Sequence, residues 1–224
     1  MRSNIYRKMS LLLLAALLLP APAAFSGEAP PAGSIEKFLG DLESPDRQVR
    51  ISAMQELGRS RDGRAIHALA GIAGNADEDW RMRIKAIRLL AEAGDPNAVD
   101  SLMTAAVDFC PAIRWNAVSA LGVFQGNYRV VSSLIAALDD GDLYIREAAV
   151  KSLGEAGDPK AVLPLISVLG DKNFVVRITA VRALRKIGDP QAVPFLKRTA
   201  QEDRDPLIRG EADIAITALA PGGK

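Results

Sequence analysis

One cysteine, one histidine and a 5% share of aromatic residues leave this 224-residue chain short of the groups that most chemistry needs. A single Cys and a single His exclude a Cys/His zinc site, a disulfide framework and a haem-attachment motif. Lys and Arg number 28 against 27 Asp and Glu, a formal charge of +1. That balance argues against a strongly basic nucleic-acid binder. No segment shows sustained strand alternation. What is present is apolar and small: 49% of residues are hydrophobic, rich in Ala, Leu, Val and Ile. Such a chain can bury a full core and is too apolar to be disordered.

The charges are unevenly placed. The first 26 residues hold Arg2, Arg7 and Lys8 and no acid, followed by the Leu/Ala run Leu11–Leu19 and then Pro20-Ala21-Pro22-Ala23-Ala24-Phe25-Ser26. A basic start, a short apolar run and small residues predict a secretory signal over 1–26, with cleavage after Ala23 or after Ser26. The competing reading is an uncleaved membrane anchor, against which the run is stopped by Pro20 and Pro22 and falls short of the length of a spanning helix, about 20 apolar residues. The expected product is periplasmic or secreted, with no stable membrane span, and losing the three bases takes the charge from +1 to −2. Residues 27–33 read as a linker, 34–220 as one domain and 221–224 as a tail.

That domain repeats itself. An apolar residue followed by Arg recurs at Arg50, Arg83, Arg114, Arg146, Arg177 and Arg209, spaced by 33, 31, 32, 31 and 32 residues. Six residues before each Arg stand Ser44, Asp77, Asp108, Asp140, Asp171 and Asp203, all suited to capping a helix start. Four before it stand Asp46, Asp79, Cys110, Asp142, Asn173 and Asp205, mostly acids that favour the positive helix end. Three after it is always Ala, and seven after it Leu or Ile. These offsets trace one stripe of a 3.6-residue helix, helix A. Gly94-Asp95-Pro96, Gly157-Asp158-Pro159 and Gly188-Asp189-Pro190 then predict a left-handed C-cap and a capped restart. Gly126-Asn127-Tyr128 and Arg61-Asp62-Gly63 are degraded copies. An Ala-Val-x-x-Leu pattern follows as helix B. Ser34–Leu42 and the last helix A, where Asp213 replaces an apolar residue, predict terminal caps.

The helix Asp-x-Asp-x-x-Val-Arg-x-x-Ala-x-x-x-Leu-Gly, the Gly-Asp-Pro turn and the Ala-Val-x-x-Leu helix resemble HEAT repeats, in the short variety of phycobilisome-lyase-like proteins. Asp140–Gly154 is the closest copy, and the resemblance runs from about residue 44 to 219. Ankyrin and tetratricopeptide signatures are missing. The resemblance implies an all-α fold, a right-handed α-solenoid of about five helix pairs with terminal capping helices. It also implies that helix B lines any groove, with His67, Asp100, Ser133 and Arg198 as candidate contacts. Some HEAT-repeat hydroxylases bind iron through His-Glu pairs, and this chain has no such dipeptide.

The Arg ladder reads as structural, each Arg lying four residues after an acid on the same helix face in most copies. Arg114 is the exception, since Cys110 stands at that offset; its partner must be Asp108 or a residue of another repeat. Cys110 reads as a buried, inert thiol, with a reactive exported thiol as its competing role. Phe124 and Trp115 fill slots held elsewhere by aliphatic residues and are expected in the core. Tyr128 and Tyr144 are expected at the surface, with Trp80 and Phe174 flanking the stripe, and these four are candidate partner anchors. The expected function is non-catalytic and needs no cofactor or metal: an exported scaffold or adaptor that binds a protein or peptide in the cell envelope. The competing reading is an enzyme, or a cofactor- or enzyme-maturation factor, that uses Cys110.

Overall fold

The computed structural model describes residues 34–60 and 62–220. The signal stretch 1–26, the linker 27–33, Arg61 and the tail 221–224 lie outside the described residues. These form twelve α-helices and no strands: α1 (Ile35–Asp41), α2 (Arg47–Arg59), α3 (Gly63–Gly74), α4 (Trp80–Ala93), α5 (Val99–Ala105), α6 (Pro111–Leu121), α7 (Tyr128–Ala136), α8 (Leu143–Ala156), α9 (Val162–Val168), α10 (Phe174–Ile187), α11 (Val193–Glu202) and α12 (Pro206–Leu219). The even-numbered helices are the A helices and the odd-numbered ones the B helices. Five A–B pairs run from α2 to α11, with α1 and α12 closing the ends.

The turn chemistry explains the boundaries. Gly94, Gly157 and Gly188 end α4, α8 and α10 with φ of 62°, 68° and 82°, the left-handed region that favours glycine. Asp95, Asp158 and Asp189 then cap the 3₁₀ turns Pro96–Ala98, Pro159–Ala161 and Pro190–Ala192, which lead into helix B. The degraded turns keep the same function, because Asp62 and Asn127 accept from the backbone N–H of Arg64 and Arg129.

The core is the stripe read from the sequence. Ala53, Ala86, Ala117, Ala149, Ala180 and Ala212 are buried, as are Leu57, Leu90, Leu121, Leu153 and Leu184. All of these but Ala53 join Ile66, Leu69, Leu102, Leu134, Leu165 and Leu196 from the B helices in one continuous core. Neighbouring A helices pack on one another along the whole layer, whereas the B helices beyond α7 meet chiefly through their 3₁₀ turns. The close approach of A helices depends on small residues. A Cβ added at Gly58, Gly122 or Gly154 would lie 2.7 Å from a side-chain atom of Leu89, Ser152 or Ala183, one repeat on. Phe124 is buried as expected, while Trp115 is 41% exposed and so stands at the rim of the core rather than within it.

Candidate functional site

The capping residues sit two positions later than the sequence suggested. Asp46, Asp79, Asp142, Asn173 and Asp205 are the N-caps of their A helices, each accepting from the backbone N–H two residues on. Cys110 is the N-cap of α6 and makes no side-chain capping bond. The acids two residues earlier fold back instead: Asp108, Asp140, Asp171 and Asp203 each accept from the N–H of the N-cap residue at 2.7–2.8 Å.

That shift changes what the Arg ladder pairs with. The residue four back is the N-cap of its own helix, and every ladder Arg except the last, Arg209, reaches forward to an acid of the next repeat. Arg114 is bidentate to Asp140 (2.8 and 3.0 Å), Arg146 to Asp171 (2.8 and 3.1 Å) and Arg177 to Asp203 (2.9 and 3.2 Å). Arg83 donates to Asp108 at 2.5 Å and to the Ala73 carbonyl. The remaining nitrogen of each Arg turns back within its own repeat: Arg114, Arg146, Arg177 and Arg209 donate to the carbonyls of Asp108, Asp140, Asp171 and Asp203. Every such Asp is therefore held at its carboxylate by the preceding Arg and at its carbonyl by its own. The ladder is a chain of clamps between repeats, with the charges paired and hydrogen-bonded as burial demands. Burial pushes the carboxyls of Asp140, Asp171 and Asp203 up. The bonds from Arg114, Arg146 and Arg177 and from backbone N–H groups outweigh it, leaving all three below the ordinary carboxylate value.

The candidates on the B helices do not converge. His67 and Asp100 are exposed in the same slot of successive repeats; Asp100 pairs with Arg129 at 2.7 Å and Arg198 with Glu202 at 2.8 Å. Ser133 is half-buried. The aromatic candidates divide. Tyr128 and Tyr144 are exposed, and Phe174 packs half-buried against the core.

Trp80 leads to a site. It stands at the start of α4, 46% exposed, beside a cleft of about 650 Å³ between the N-terminal ends of α4 and α6. The opposite wall carries Phe109, 99% exposed, with Cys110 and Ala112 beside it. Cys110 is half-buried there rather than sealed in the core. Later A helices carry exposed apolar residues at a different offset, Tyr144, Val175 and Leu207, two residues before their anchor Arg, where the repeats that form the cleft hold Arg81 and Ala112. A fully exposed Phe is the residue that sequence reasoning passed over. Its slot holds Pro45, Glu78, Gly141, Lys172 and Arg204 in the other repeats, and an aromatic among polar and turn residues was the available signal.

Twelve antiparallel helices in two layers, clamped by a recurring Arg–Asp pair, define an α-solenoid repeat protein. The family profile for HEAT repeats matches residues 35–122, 72–140 and 131–217, and the chain belongs to that family. A search of curated protein sequences finds no match. Among solved structures, the complex of CpcE and CpcF of phycocyanin lyase from Nostoc sp. PCC7120 is similar at TM-score 0.57 and 22% identity, over 89% of this chain and 82% of that one. An archaeal HEAT-like repeats protein from Thermococcus onnurineus NA1 gives 0.56 and 15%, over 84% and 88%. A designed armadillo repeat protein in complex with peptide (KR)4 gives 0.57 and 20%, over 83% and 99%. At these identities the likeness is one of fold.

Proposed function

We propose that this protein is an exported scaffold or adaptor that binds a protein or peptide partner in the cell envelope, through the edge on which its A helices begin. The observation that carries the reading is the pair Trp80 and Phe109 flanking a cleft, one half-exposed and the other fully exposed. Isolated soluble repeats gain nothing from a solvated Phe, and large aromatics are the residues that anchor partners. The buried polar pairs do not compete for this role, because Arg83, Arg114, Arg146 and Arg177 and the Asp side chains they hold are consumed between repeats. Export is supported by the basic, apolar and small-residue sequence of residues 1–26.

A photocrosslinking side chain at position 109 tests the reading. One stoichiometric envelope protein is expected, with capture lost when Trp80→Asp is added; no capture, or the same bands from a crosslinker at exposed Leu163 on α9, would sink it. Intact-mass measurement of the exported protein checks the signal, and a mass that includes residues 1–20 would contradict cleavage. A second reading, an enzyme or maturation factor, draws on Cys110 lining the same cleft. It requires Cys110→Ser to abolish the envelope phenotype with partner capture intact.

A further inference from the structure

Between the first two A helices the ladder slips by one residue. Asp77 occupies the slot that in Asp108, Asp140, Asp171 and Asp203 receives the preceding Arg, yet Arg50 pairs with Glu78 instead. This is also the longest spacing of the ladder, 33 residues from Arg50 to Arg83 against 31 or 32 for every later pair. Asp77 is left exposed, and its carboxylate makes no hydrogen bond or ion pair among the described residues.

This released carboxylate lines the Trp80–Phe109 cleft. The lining holds four carboxylates, those of Asp77, Glu78, Asp79 and Asp108, against the single guanidinium of Arg83. Arg83 neutralises Asp108, and Arg50, which is not part of the lining, neutralises Glu78. Asp79 caps α4 and has Arg47 and Arg81 at 3.6 and 3.8 Å, pairs so exposed that they hold it weakly. Asp77 has no paired cation among the described residues. Trp80 already carries the Arg81 guanidinium 4.3 Å from its ring centroid, so the ring is in use as a cation acceptor, while Phe109 is bare.

We propose that the cleft docks an extended segment of a protein partner through one basic side chain, Lys or Arg, with Asp77 as its counter-charge and Trp80 and Phe109 as its aromatic walls. The proposal rests on the scaffold reading and names the chemistry of the partner. A purely apolar segment would cover Asp77 without pairing it, and an acidic one would meet like charge. The long methylene stem of Lys or Arg covers an aromatic ring while delivering its charge beyond it.

The test uses the full chain carrying Trp115→Phe, which leaves Trp80 as its one tryptophan. Its emission is followed during titration with short peptide pools whose central residue is Arg, Lys, Leu or Glu. The Arg and Lys pools are expected to bind about tenfold tighter than the others, and Phe109→Ala to weaken them by a similar factor. Asp77→Lys is expected to invert the preference toward the Glu pool. The proposal is overturned if the Leu pool binds best, if Asp77→Lys changes nothing, or if no pool binds. Crosslinking at position 109 separates the two readings. A partner captured equally with and without Asp77→Lys removes the basic side chain and leaves the scaffold; capture of none removes the scaffold itself.

Discussion

Arg146 shows how much one side chain carries here. It is buried, holds both oxygens of Asp171 and reaches back to the carbonyls of Asp140 and Gly141. Arg146→Met strands the Asp171 carboxylate in a largely buried site, a loss of about 3–5 kcal/mol. Urea unfolding should show it, and the double variant with Asp171→Leu should recover part of the loss. The same clamps set the response to acid. Asp140, Asp171 and Asp203 titrate below their ordinary value of 3.8 when folded, so their contribution is complete above about pH 4. It is lost as the pH falls through the lower folded values. Glu147, whose carboxyl burial pushes up against a smaller opposing effect of Lys151, has the opposite sign, and one group does not offset three. A variant carrying Asn at 140, 171 and 203 should be less stable at pH 7 and show a shallower acid decline in urea midpoint. That Arg and Asp alternate was legible in the sequence. Which Asp serves which Arg was not, because proximity along the helix suggested the acid four residues back, and that acid is held by the free N–H groups of its own first turn.

At the scale of the helix, the small residues of the A layer decide how closely the repeats stack. A Cβ at Gly154 would come within 2.7 Å of the Ala183 Cβ and 2.9 Å of its Cα, and backbone cannot move aside as a side-chain tip can. Gly154→Ala should therefore destabilise by about 1–3 kcal/mol despite the better helix propensity of Ala. Gly71→Ala, at a position in α3 with nothing within 4 Å, should instead stabilise by about 0.5–1 kcal/mol. Parallel thermal melts of the two variants check both signs. The Gly-Asp-Pro ends of the A helices and the starts of the B helices were legible, since Gly, Asp and Pro act on their own backbone neighbours. The A-helix starts were read two residues early, because two candidate caps stand in most copies. The glycines that admit a neighbouring helix were not, because Gly71 and Gly154 look alike until the next helix is in place.

The whole molecule is a stack, and its last described helix, α12, carries a charge where the other A helices carry an apolar residue. Asp213 is exposed in the slot that Met54, Ile87, Val118, Val150 and Val181 fill with fully buried side chains. Asp213→Val should extend the stacking surface and promote self-association, seen as a concentration-dependent rise in sedimentation coefficient over the unsubstituted chain. A coefficient unchanged across concentration would mean that α12 ends the stack by shape rather than by charge. Scarce Cys and His and a near-neutral charge excluded whole classes of chemistry, and a period of 31–33 residues determined by itself that this is a helical solenoid, because repetition and 3.6-residue periodicity are local properties of the chain. The site was decided only in three dimensions. Arg50 takes Glu78, which leaves Asp77 unpaired in one cleft with Trp80 and Phe109. Pairing across repeats depends on which side chains the stacking brings within reach, and spacing along the chain does not state that.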